Sequence, residues 1–389
     1  MLVLGGHGVL GGMIADAADA AGWATLRSSR RPLDGYRHVD LDEPQTLEKV
    51  IDEADVIVST VPDEQLVAER MVLDRGGLLI NVSAMAASAA ARLRSPAPRS
   101  PAPRSPAPHS PAPSGEPGPA RGTVLMNAGI APGLTNLLAA DLLGRHPEAD
   151  EVEMVFTVSV KGSHGPVSGT IAHDWMTAAK RHRTTVVRLP EPFGRRRCLG
   201  IAEPHNGWLG PVAAGKTVRT YTCMAERGMQ GALLTLNAAG LLGRIPRSAT
   251  AVTPVPEVTA EPIRHWVAVR RRGTLLAAST LRCRGDYHSA ATATVLMARR
   301  LADHDGPLPA GVLVPEEVLT IGELKPGLAE AGITVVEEPT GARALSAWPY
   351  GFLPRRRSRT AARGRRGRGT IAPAAPRRGR SSQGRRRSG

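Results

Sequence analysis

Residues 6–11 have the sequence GHGVLG, and this stretch decides the fold. It lies between an apolar segment at residues 1–4 and an alanine-rich segment at residues 12–21, and a second strand-like segment follows at residues 23–31. Strand, glycine-rich turn, helix and second strand, in this order, are typical of a dinucleotide-binding unit. The alternative is an ordinary α/β domain with a glycine-rich turn, which gives no reason for all four features to agree.

Each glycine of the pattern has a predicted physical role. We expect Gly6 to form the tight turn out of the strand and Gly8 to let a diphosphate approach the backbone. Gly11 is expected to let the helix lie close on the sheet. The helix start then directs its unpaired N–H groups, at the positive end of the helix dipole, toward the phosphates. Gly22 is expected to end this helix.

The end of the second strand indicates which dinucleotide binds. An NAD site has a carboxylate there, which accepts hydrogen bonds from the ribose hydroxyls. Residues 23–31 read WATLRSSRR and contain no acid. Hydroxyl groups beside guanidinium groups suit a 2′-phosphate, because it carries extra negative charge and accepts paired hydrogen bonds. The predicted cofactor is therefore NADP(H) rather than NAD(H).

Alternation of strands and helices continues along the chain. Further strands are predicted at 37–41, 54–62, 77–83 and 123–127. Alternation with helical stretches is the pattern of a parallel sheet, whose ligands bind at the carboxyl ends of the strands. We therefore predict an α/β fold with a Rossmann-type doubly wound parallel sheet.

Beyond about residue 140 the pattern changes to period-two alternation of apolar and polar residues, which predicts a mixed or antiparallel sheet. The predicted strands are 151–160, 216–223, 264–270 and 274–282, the last two forming a hairpin around Arg272-Gly273, and the predicted helices are 229–243 and 288–302. This indicates an inserted α+β second domain. The basic runs at 181–183 and 195–197 are interpreted as solvated surface, with a clamp for a substrate carboxylate as the alternative.

Composition separates a nearly neutral body from a basic end. The net charge is +15, but residues 354–389 contain 14 arginines and no acid, so the rest of the chain carries about +1. The tail has no periodicity and is expected to be disordered. Either it binds RNA through its charge, or it reflects an extended or shifted reading frame without a selected role. The proline-rich stretch at 95–120 is interpreted as a disordered insertion, with a docking ligand as the alternative.

Several protein classes are not expected from this sequence. The three cysteines lie far apart without metal-ligand spacing, which predicts buried reduced thiols and no metal site. No secretory leader and no run of 18 uncharged apolar residues is present, so we expect a cytoplasmic protein without a membrane partner. The predicted partners are a small-molecule substrate and a second copy of the chain, with nucleic acid only through the tail.

Four motifs carry a family resemblance. Residues 127–138 read NAGIAPGLTNLL after a predicted strand, and this stretch resembles the G-x-x-PG-x-x-N motif of saccharopine dehydrogenase-like oxidoreductases. Residues 162–165 with Trp175, residues 284–293 and residues 309–317 resemble three further stretches of that family. The resemblance covers roughly residues 1–340. It implies a Rossmann domain with an inserted α+β domain, and NAD(P)-dependent chemistry on imine, carbonyl or, in one branch, enoyl groups.

The resemblance also implies positions for the cofactor contacts. By position, Gly6, Gly8, Val9 and Leu10 would contact the diphosphate beside Gly11, Ser28 and Arg30 the 2′-phosphate, Asp40 and Leu41 the adenine, and Ser59, Thr60, Val61, Pro62 and Ser83 the nicotinamide side. The implied organisation is an NADP-binding domain at 1–140, interrupted at 95–120, a substrate and dimerisation domain at 141–303, a return segment at 304–345 that packs on the first domain, and the tail at 354–389.

Two residues are candidates for the proton transfer that accompanies hydride transfer. His164 stands in a Gly-Ser-His-Gly loop and could act as a general acid, although a turn residue is the simpler interpretation. Asp286 precedes a predicted helix, where an N-terminal anion is the simpler interpretation. Asn127 and Asn136 are expected to cap the helix that Pro132-Gly133 opens, with hydrogen bonds to the cofactor carboxamide as the alternative. We expect an NADP(H)-dependent oxidoreductase acting on an amino-acid type imine or carbonyl; a non-catalytic NADP(H) sensor or an enoyl reductase are the alternatives.

Overall fold

The fold is described from a computed structural model, which covers residues 1–83, 89, 92–93, 120–161, 166–201, 209–246 and 262–338. Predictions for His164 and its loop, for most of the proline-rich stretch at 95–120, and for the tail at 354–389 lie outside the described residues. The fold consists of two seven-stranded sheets with helices between and around them.

The first sheet is parallel throughout, in the strand order β13-β6-β5-β4-β1-β2-β3. Its strands are β1 (Leu2–Leu4), β2 (Leu26–Ser29), β3 (Arg37–His38), β4 (Val56–Ser59), β5 (Leu78–Asn81), β6 (Thr123–Leu125) and β13 (Gly311–Leu313). β1, β4 and β5 are buried over their whole length, which explains their apolar composition. The predicted Rossmann-type sheet is confirmed.

Among the helices of the described residues, α1 (Val9–Ala20), α2 (Pro44–Glu48) and α3 (Val67–Arg75) accompany the first sheet. α1 begins three residues earlier than predicted, directly after Gly8, so residues 9–11 of the glycine pattern form its first turn. Its buried side includes Ile14 and Ala18, which pack into the core at helical spacing. The glycine pattern is therefore part of a helix start and not only of a loop.

The second sheet is mixed, in the order β14-β12-β11-β7-β10-β9-β8, with β7 and β10 parallel and the other pairs antiparallel. Its strands are β7 (Glu151–Val158), β8 (Thr184–Leu189), β9 (Gly194–Gly200), β10 (Thr217–Met224), β11 (Pro262–Arg271), β12 (Thr274–Arg284) and β14 (Thr334–Glu338). Arg272 and Gly273 have positive φ and form the turn of the predicted hairpin. The predicted α+β second unit is confirmed.

The remaining helices are α4 (Leu134–Arg145), α5 (Pro166–Thr177), α6 (Arg227–Ala239), α7 (Asp286–Ala302), α8 (Pro315–Val318) and α9 (Ile321–Glu330). One large core combines Val58 of the first sheet, Leu138 of α4, Met297 of α7 and Met154 of the second sheet. α4 and α7 therefore lie in the layer that joins the two sheets.

Two features differ from the sequence prediction. Residues 195–197 belong to β9, where Arg196 is buried and its guanidinium donates to the carbonyl oxygens of Phe193 (3.0 Å) and Ala225 (3.2 Å). This arginine is thus paired with backbone acceptors instead of water. The segment 304–345 divides between the sheets, because β13 joins the first sheet and β14 pairs with β12 of the second.

Candidate functional site

The turn that follows β1 is held together by its own backbone. Gly5 has a φ of 77°, and its carbonyl oxygen accepts a hydrogen bond from the Gly8 amide at 2.8 Å. A Cβ at Gly5 would lie 2.7 Å from Thr60 Oγ1. The sequence analysis assigned the tight turn to Gly6, but the residue that makes this turn is Gly5. Gly6 has a different role, since a Cβ there would lie 3.0 Å from the Cβ of Arg27 on β2.

Gly11 brings α1 onto this turn. A Cβ at Gly11 would overlap the carbonyl oxygen of Gly5, which is a backbone atom and cannot move aside. This agrees with the close-packing role predicted for Gly11. Gly8 is the exposed N-cap residue of α1, and among the described residues only the Gly5 carbonyl oxygen, at 3.1 Å, lies near a Cβ built there.

The start of α1 has free hydrogen-bond donors. The backbone N–H groups of Val9, Leu10 and Gly11 have no acceptor in the described part of the chain, whereas Gly12 already donates to the Gly8 carbonyl oxygen at 2.7 Å. The first turn of the helix contains no acidic residue. Three unpaired donors at the positive end of a helix fit an anionic diphosphate.

At the end of β2, Ser28 supports the turn from below. Its side chain is 1% exposed, its hydroxyl oxygen accepts from the Gly5 amide (3.3 Å), and its carbonyl oxygen accepts from the His7 amide (3.3 Å). The predicted contact of Ser28 with a 2′-phosphate is therefore corrected: a buried hydroxyl under the turn does not face a ligand on the surface.

Arg30 remains the candidate for phosphate selection. It is exposed, and its guanidinium forms no ion pair within the described ranges. Arg27, in contrast, is paired with Asp16 (2.8 Å) and Asp19 (2.6 Å). An unpaired guanidinium is available for a ligand anion, whereas one already held by two carboxylates is not.

The side of the turn for which adenine contacts were predicted also includes residues that the sequence did not single out. His7 of the glycine turn and Tyr36 form an edge-to-face ring pair with centroids 5.5 Å apart. The half-buried Asp40 follows β3, and the Thr46 hydroxyl bonds both its amide (2.8 Å) and its carbonyl oxygen (2.9 Å). Leu41 packs partly against the core of the first sheet. His7 occupies the variable position of the glycine pattern, so the pattern itself did not single it out.

Residues 59–62 comprise the last residue of β4 and the three residues after it, at the same edge of the sheet. Ser59 is buried, and the Thr60 hydroxyl donates to the Leu4 carbonyl oxygen at 2.9 Å, so both side chains face the protein interior. Val61 is half-buried and Pro62 is exposed. The Val61 side chain lies over the turn, since a Cβ on Gly5 would be 2.8 Å from its Cγ2.

Ser83 is held by a polar pair that lies behind it. Its amide donates to Asn81 Oδ1 at 2.8 Å, and Asn81 Nδ2 donates to Glu69 Oε1 at 2.5 Å. Glu69 is fully buried, which raises the pKa of its carboxyl group. Neither Asn81 nor Glu69 was predicted, because nothing in an apolar strand and an unremarkable helix signals their pairing.

Close packing and hydrogen bonds of the family-like motif at residues 127–138 fix the start of α4. A Cβ on Gly133 would overlap the Gly129 carbonyl oxygen, and Asn136 Oδ1 accepts from the Gly133 amide at 3.3 Å. The predicted capping role of Asn136 is confirmed. Its Nδ2 also donates to Glu316 Oε1 (3.3 Å), which accepts from the Gly210 amide at 2.7 Å. Two of the four resembling motifs thus contact each other.

A second polar cluster lies at one end of the second sheet, and it contains Asp286. His265 Nε2 is 3.9 Å from Asp286 Oδ1, and the Ser159 backbone N–H also bonds the Asp286 carboxyl group. The Ser159 hydroxyl donates to Glu226 Oε1 at 2.5 Å, and the Val160 amide donates to Glu226 Oε2 at 3.3 Å. We call these residues, 159, 226, 265 and 286, the acid cluster.

Burial perturbs both titratable partners in the acid cluster. Burial raises the pKa of Asp286 to about 7; the Ser159 bond opposes this shift and the charge of Glu226 adds to it. Burial lowers the pKa of His265 to about 4. Neither ring nitrogen of His265 has a hydrogen-bond partner among the described residues. At neutral pH the imidazole is uncharged and a large share of Asp286 carries its proton.

Helix α7 links the acid cluster to the first sheet. It begins at Asp286, Thr294 Oγ1 donates to the Ala128 carbonyl oxygen at 3.0 Å, and Arg299 Nη1 donates to the Ala21 carbonyl oxygen at 2.9 Å. Ala128 follows β6, so the middle of α7 contacts the carboxyl edge of the first sheet. Thr294 is about 12 Å along the helix axis from Asp286.

His173 Nδ1 lies 3.5 Å from the carboxylate of its neighbour Asp174 on α5. Within the described ranges no group of three or more His, Cys, Asp or Glu residues is arranged to hold a metal ion, and no helix has the length and apolarity needed to cross a membrane. Cys198, Cys223 and Cys283 are buried free thiols.

The comparisons with known proteins identify the fold. No protein-family model and no curated protein matches the chain. Apo saccharopine dehydrogenase (L-Glu forming) from Saccharomyces cerevisiae is 11% identical, with 87% of this chain and 98% of that chain covered and a TM-score of 0.50. Homospermidine synthase from Legionella pneumophila, in complex with NAD, is 9% identical, with 87% and 91% covered and a TM-score of 0.53. The chain therefore shares the fold of these enzymes, as its motifs led us to expect.

Proposed function

We propose that the protein is an NADP(H)-dependent oxidoreductase that transfers hydride to or from a small imine or carbonyl compound of amino-acid type. The observation that carries this proposal is the start of α1. Three unpaired backbone donors stand over a turn in which Gly5 and Gly11 leave no space for a Cβ. Such a turn would suit a diphosphate, and homospermidine synthase, of similar fold, is known in complex with NAD.

The cofactor would supply or accept the hydride, and the residues of the chain would position it. Val9, Leu10 and Gly11 would hold the diphosphate, and Arg30 would contact the 2′-phosphate. Val61 and Ser83 would line the nicotinamide side. Asp286 and His164 are the proposed groups for proton transfer, of which Asp286 lies among the described residues.

Titration of the full-length protein with NADPH and NADH tests the cofactor assignment. We expect NADPH to bind at least about tenfold more tightly, equivalent to about 1.4 kcal/mol. Gly8→Val should abolish binding of both dinucleotides, while the matched variant Gly12→Ala should bind normally because a Cβ there lies 3.6 Å from the nearest described atom. Equal affinities would contradict the NADP assignment, and absence of binding to either would overturn the proposal.

Turnover separates the enzyme from a sensor of NADPH. Oxidation of NADPH should be followed with a panel of 2-oxo acids supplied with amines or ammonium, and with enoyl esters. Consumption with an oxo acid and amine supports the proposed reaction, and consumption with an enoyl ester supports the enoyl reductase alternative. Burial raises the pKa of the Asp286 carboxyl group to about 7, which is the range of a general acid at neutral pH, and this favours the enzyme. Tight binding without turnover on any pair would favour the sensor.

A further inference from the structure

We propose that Arg264 and Arg282 form a binding site for a phosphate dianion, on the face of the second sheet that points away from α4 and α7. The ion, either free phosphate or the phosphate group of a small metabolite, would lie between the two guanidinium groups. This site goes beyond the proposed oxidoreductase function and does not depend on it. Arg264 belongs to β11 and Arg282 to β12.

The first argument is the strand register. Arg264 and Arg282 are Cα partners in the antiparallel pair of β11 and β12, so their side chains leave the sheet side by side on one face. The Cβ atoms of such partners are about 5 Å apart, and like charges directly opposite each other destabilise the pair. An anion that lies between the two charges would remove this repulsion.

The alternation of side chains identifies the face. Ile263, Leu281 and Cys283 are direct neighbours of the two arginines along the strands, and they belong to the large core that includes residues of α4 and α7. Successive residues of a strand point to opposite faces, so Arg264 and Arg282 point away from this core. The sheet itself therefore separates the arginine pair from the acid cluster.

The second argument is that the donors of the pair lack acceptors. Nε of Arg264 and Nε of Arg282 are both buried and have no hydrogen-bond partner in the described part of the chain. Arg264 Nη1 donates to the Ile263 carbonyl oxygen at 2.9 Å, and no described residue forms an ion pair with either arginine. Burial, and after it the charge of Arg282, lowers the pKa of Arg264, so the two charges act on each other. Both buried N–H groups are available to a ligand.

The third argument is that threonines, and not acids, stand beside the pair. Thr334 is the Cα partner of Arg282 on β14, and the Thr157 hydroxyl on β7 bonds the amide and the carbonyl oxygen of Arg264, both at 2.8 Å. Thr280, two residues before Arg282 and hence on the same face, is fully buried, and its hydroxyl has no partner among the described residues. These neighbours carry no charge that would balance the two guanidinium groups.

Arg270, also on β11, shows how this sheet accommodates a guanidinium group that has an acid as its partner. Its Nε donates to Glu153 Oε2 at 2.9 Å, and both side chains are 8% exposed. Arg264 and Arg282 are instead half-buried, so an ion from solvent can reach them. A phosphate dianion balances their two charges, and its oxygens accept paired N–H bonds from each guanidinium group. A monocarboxylate would leave one positive charge unbalanced.

Urea denaturation of the full-length protein tests the site. Sodium chloride and sodium phosphate are compared at equal ionic strength and at about pH 8, where phosphate carries close to two negative charges. Phosphate should raise the midpoint of the wild type, because it binds the folded state. Arg282→Gln should raise the midpoint in chloride, since the repulsion between the arginines is gone. It should respond to phosphate only through the general salt effect.

The control is Arg271→Gln, which removes the same charge from the exposed last residue of β11. It should keep the full response to phosphate, and the arginines of the tail are the same in all variants. An equal response of Arg282→Gln and Arg271→Gln would overturn the proposal, as would a loss of stability of Arg282→Gln in chloride. If Arg282→Gln does not fold, Arg282→Lys keeps the charge without the paired donors, and a phosphate response equal to that of the control would then overturn the proposal.

Calorimetric titration measures the affinity and distinguishes the two sources of the ion. Arg282→Gln should weaken phosphate binding by at least about tenfold. Acetate, a monoanion, should not distinguish this variant from the wild type, and an equal loss of acetate binding would contradict a site for a dianion. Glycerol 3-phosphate carries the phosphate group on a small molecule. If it binds more tightly than phosphate, the site takes a phosphorylated metabolite; if it binds more weakly, the site takes free phosphate.

Discussion

The glycine turn and the acid cluster are two sites made in opposite ways. The turn, residues 5–11, presents backbone N–H groups, and its side chains mainly stay out of the way. The acid cluster presents side chains from four separate parts of the chain, at 159, 226, 265 and 286. A site made of backbone is encoded in a few consecutive residues, whereas a site made of side chains depends on how distant strands pair.

Because of this difference, substitutions should affect the two sites in different ways. A substitution in the turn acts through steric overlap with backbone atoms and affects fold and ligand binding together. A substitution in the acid cluster leaves the shape intact and changes the energy of ionisation. Of the four predictions that follow, ordered from the largest expected effect, three test this contrast and the one on Glu316 tests contacts outside both sites.

Gly11→Val should be the most damaging single change in the turn. The new side chain would overlap the Gly5 carbonyl oxygen, and the free energy of unfolding should fall by about 3 kcal/mol. Chemical denaturation and NADPH titration measure the two effects. Gly12→Ala, one position later in the same helix, is the control and should stabilise slightly. Equal stability of the two variants would show that α1 does not rest on the turn.

The acid cluster should show two pH dependences of opposite sign. The folded-state pKa of Asp286 is about 7, above its ordinary 3.8, so the folded state binds the extra proton and stability falls as pH rises from about 4 to 7. The folded-state pKa of His265 is about 4, below its ordinary 6.5, so stability rises with pH over about 4 to 6.5. In the wild type these contributions largely offset each other.

Single variants separate the Asp286 and His265 contributions to the free energy of unfolding. Relative to the wild type, Asp286→Asn should gain about 2 to 3 kcal/mol as pH rises from 4 to 7, whereas His265→Gln should lose a similar amount. Urea denaturation at several pH values measures both, and the comparison with wild type at each pH cancels the other carboxyl groups. Parallel profiles for the two variants would contradict the assignment of opposite shifts.

Substitution of Glu316 tests a set of hydrogen bonds that belongs to neither site. Glu316→Ala would leave the Gly210 amide and the Asn136 side chain without their acceptor, and we expect a loss of about 2 kcal/mol in the free energy of unfolding. Glu316→Gln keeps an oxygen at this place and should cost well under half as much. NADPH affinity should be the same in both variants. A loss of affinity in one of them would show that the Glu316 hydrogen bonds shape the cofactor site.

Substitution of Arg30 tests what a side chain contributes to cofactor selection at the turn, and we expect its effect to be the smallest of the four. Arg30→Ala should remove most of the preference for NADPH over NADH, about tenfold or about 1.4 kcal/mol, with NADH affinity unchanged. Arg37→Ala on neighbouring β3 removes the same charge from a guanidinium paired with Glu53 and serves as the control. An equal change in both variants would mean that general charge, and not a direct contact, selects the phosphate.

The first sheet could be predicted because its signals are local. β4 and β5 are short apolar segments between helices, and the turn before α1 is a run of glycines. The error at Gly6 arose because two adjacent glycines, Gly5 and Gly6, fit the same pattern, and only the φ angle distinguishes them. β9 was missed because its arginines read as solvated surface, although backbone carbonyl groups bond the buried Arg196.

The acid cluster could be predicted only in part. Asp286 stood out through a family-like motif, but His265 and Glu226 carried no signal of their own. They meet because β11 and β10 flank β7 on either side, and these pairings join residues that are far apart in the sequence, such as Phe156 with His265 and Glu151 with Thr217. The partners expected from the sequence, a second copy of the chain and nucleic acid at the tail, stay predictions.

The return of the chain at β13 has a consequence for biosynthesis. β13 completes the edge of the first sheet beside β6, and the bond from the Thr123 hydroxyl to the Pro309 carbonyl oxygen spans 186 positions. At about 5–20 residues per second, a ribosome needs roughly 10 to 40 seconds to synthesise that interval. For this time β6 of the nascent chain has an open edge, and slowed translation between these strands would lengthen its exposure to aggregation.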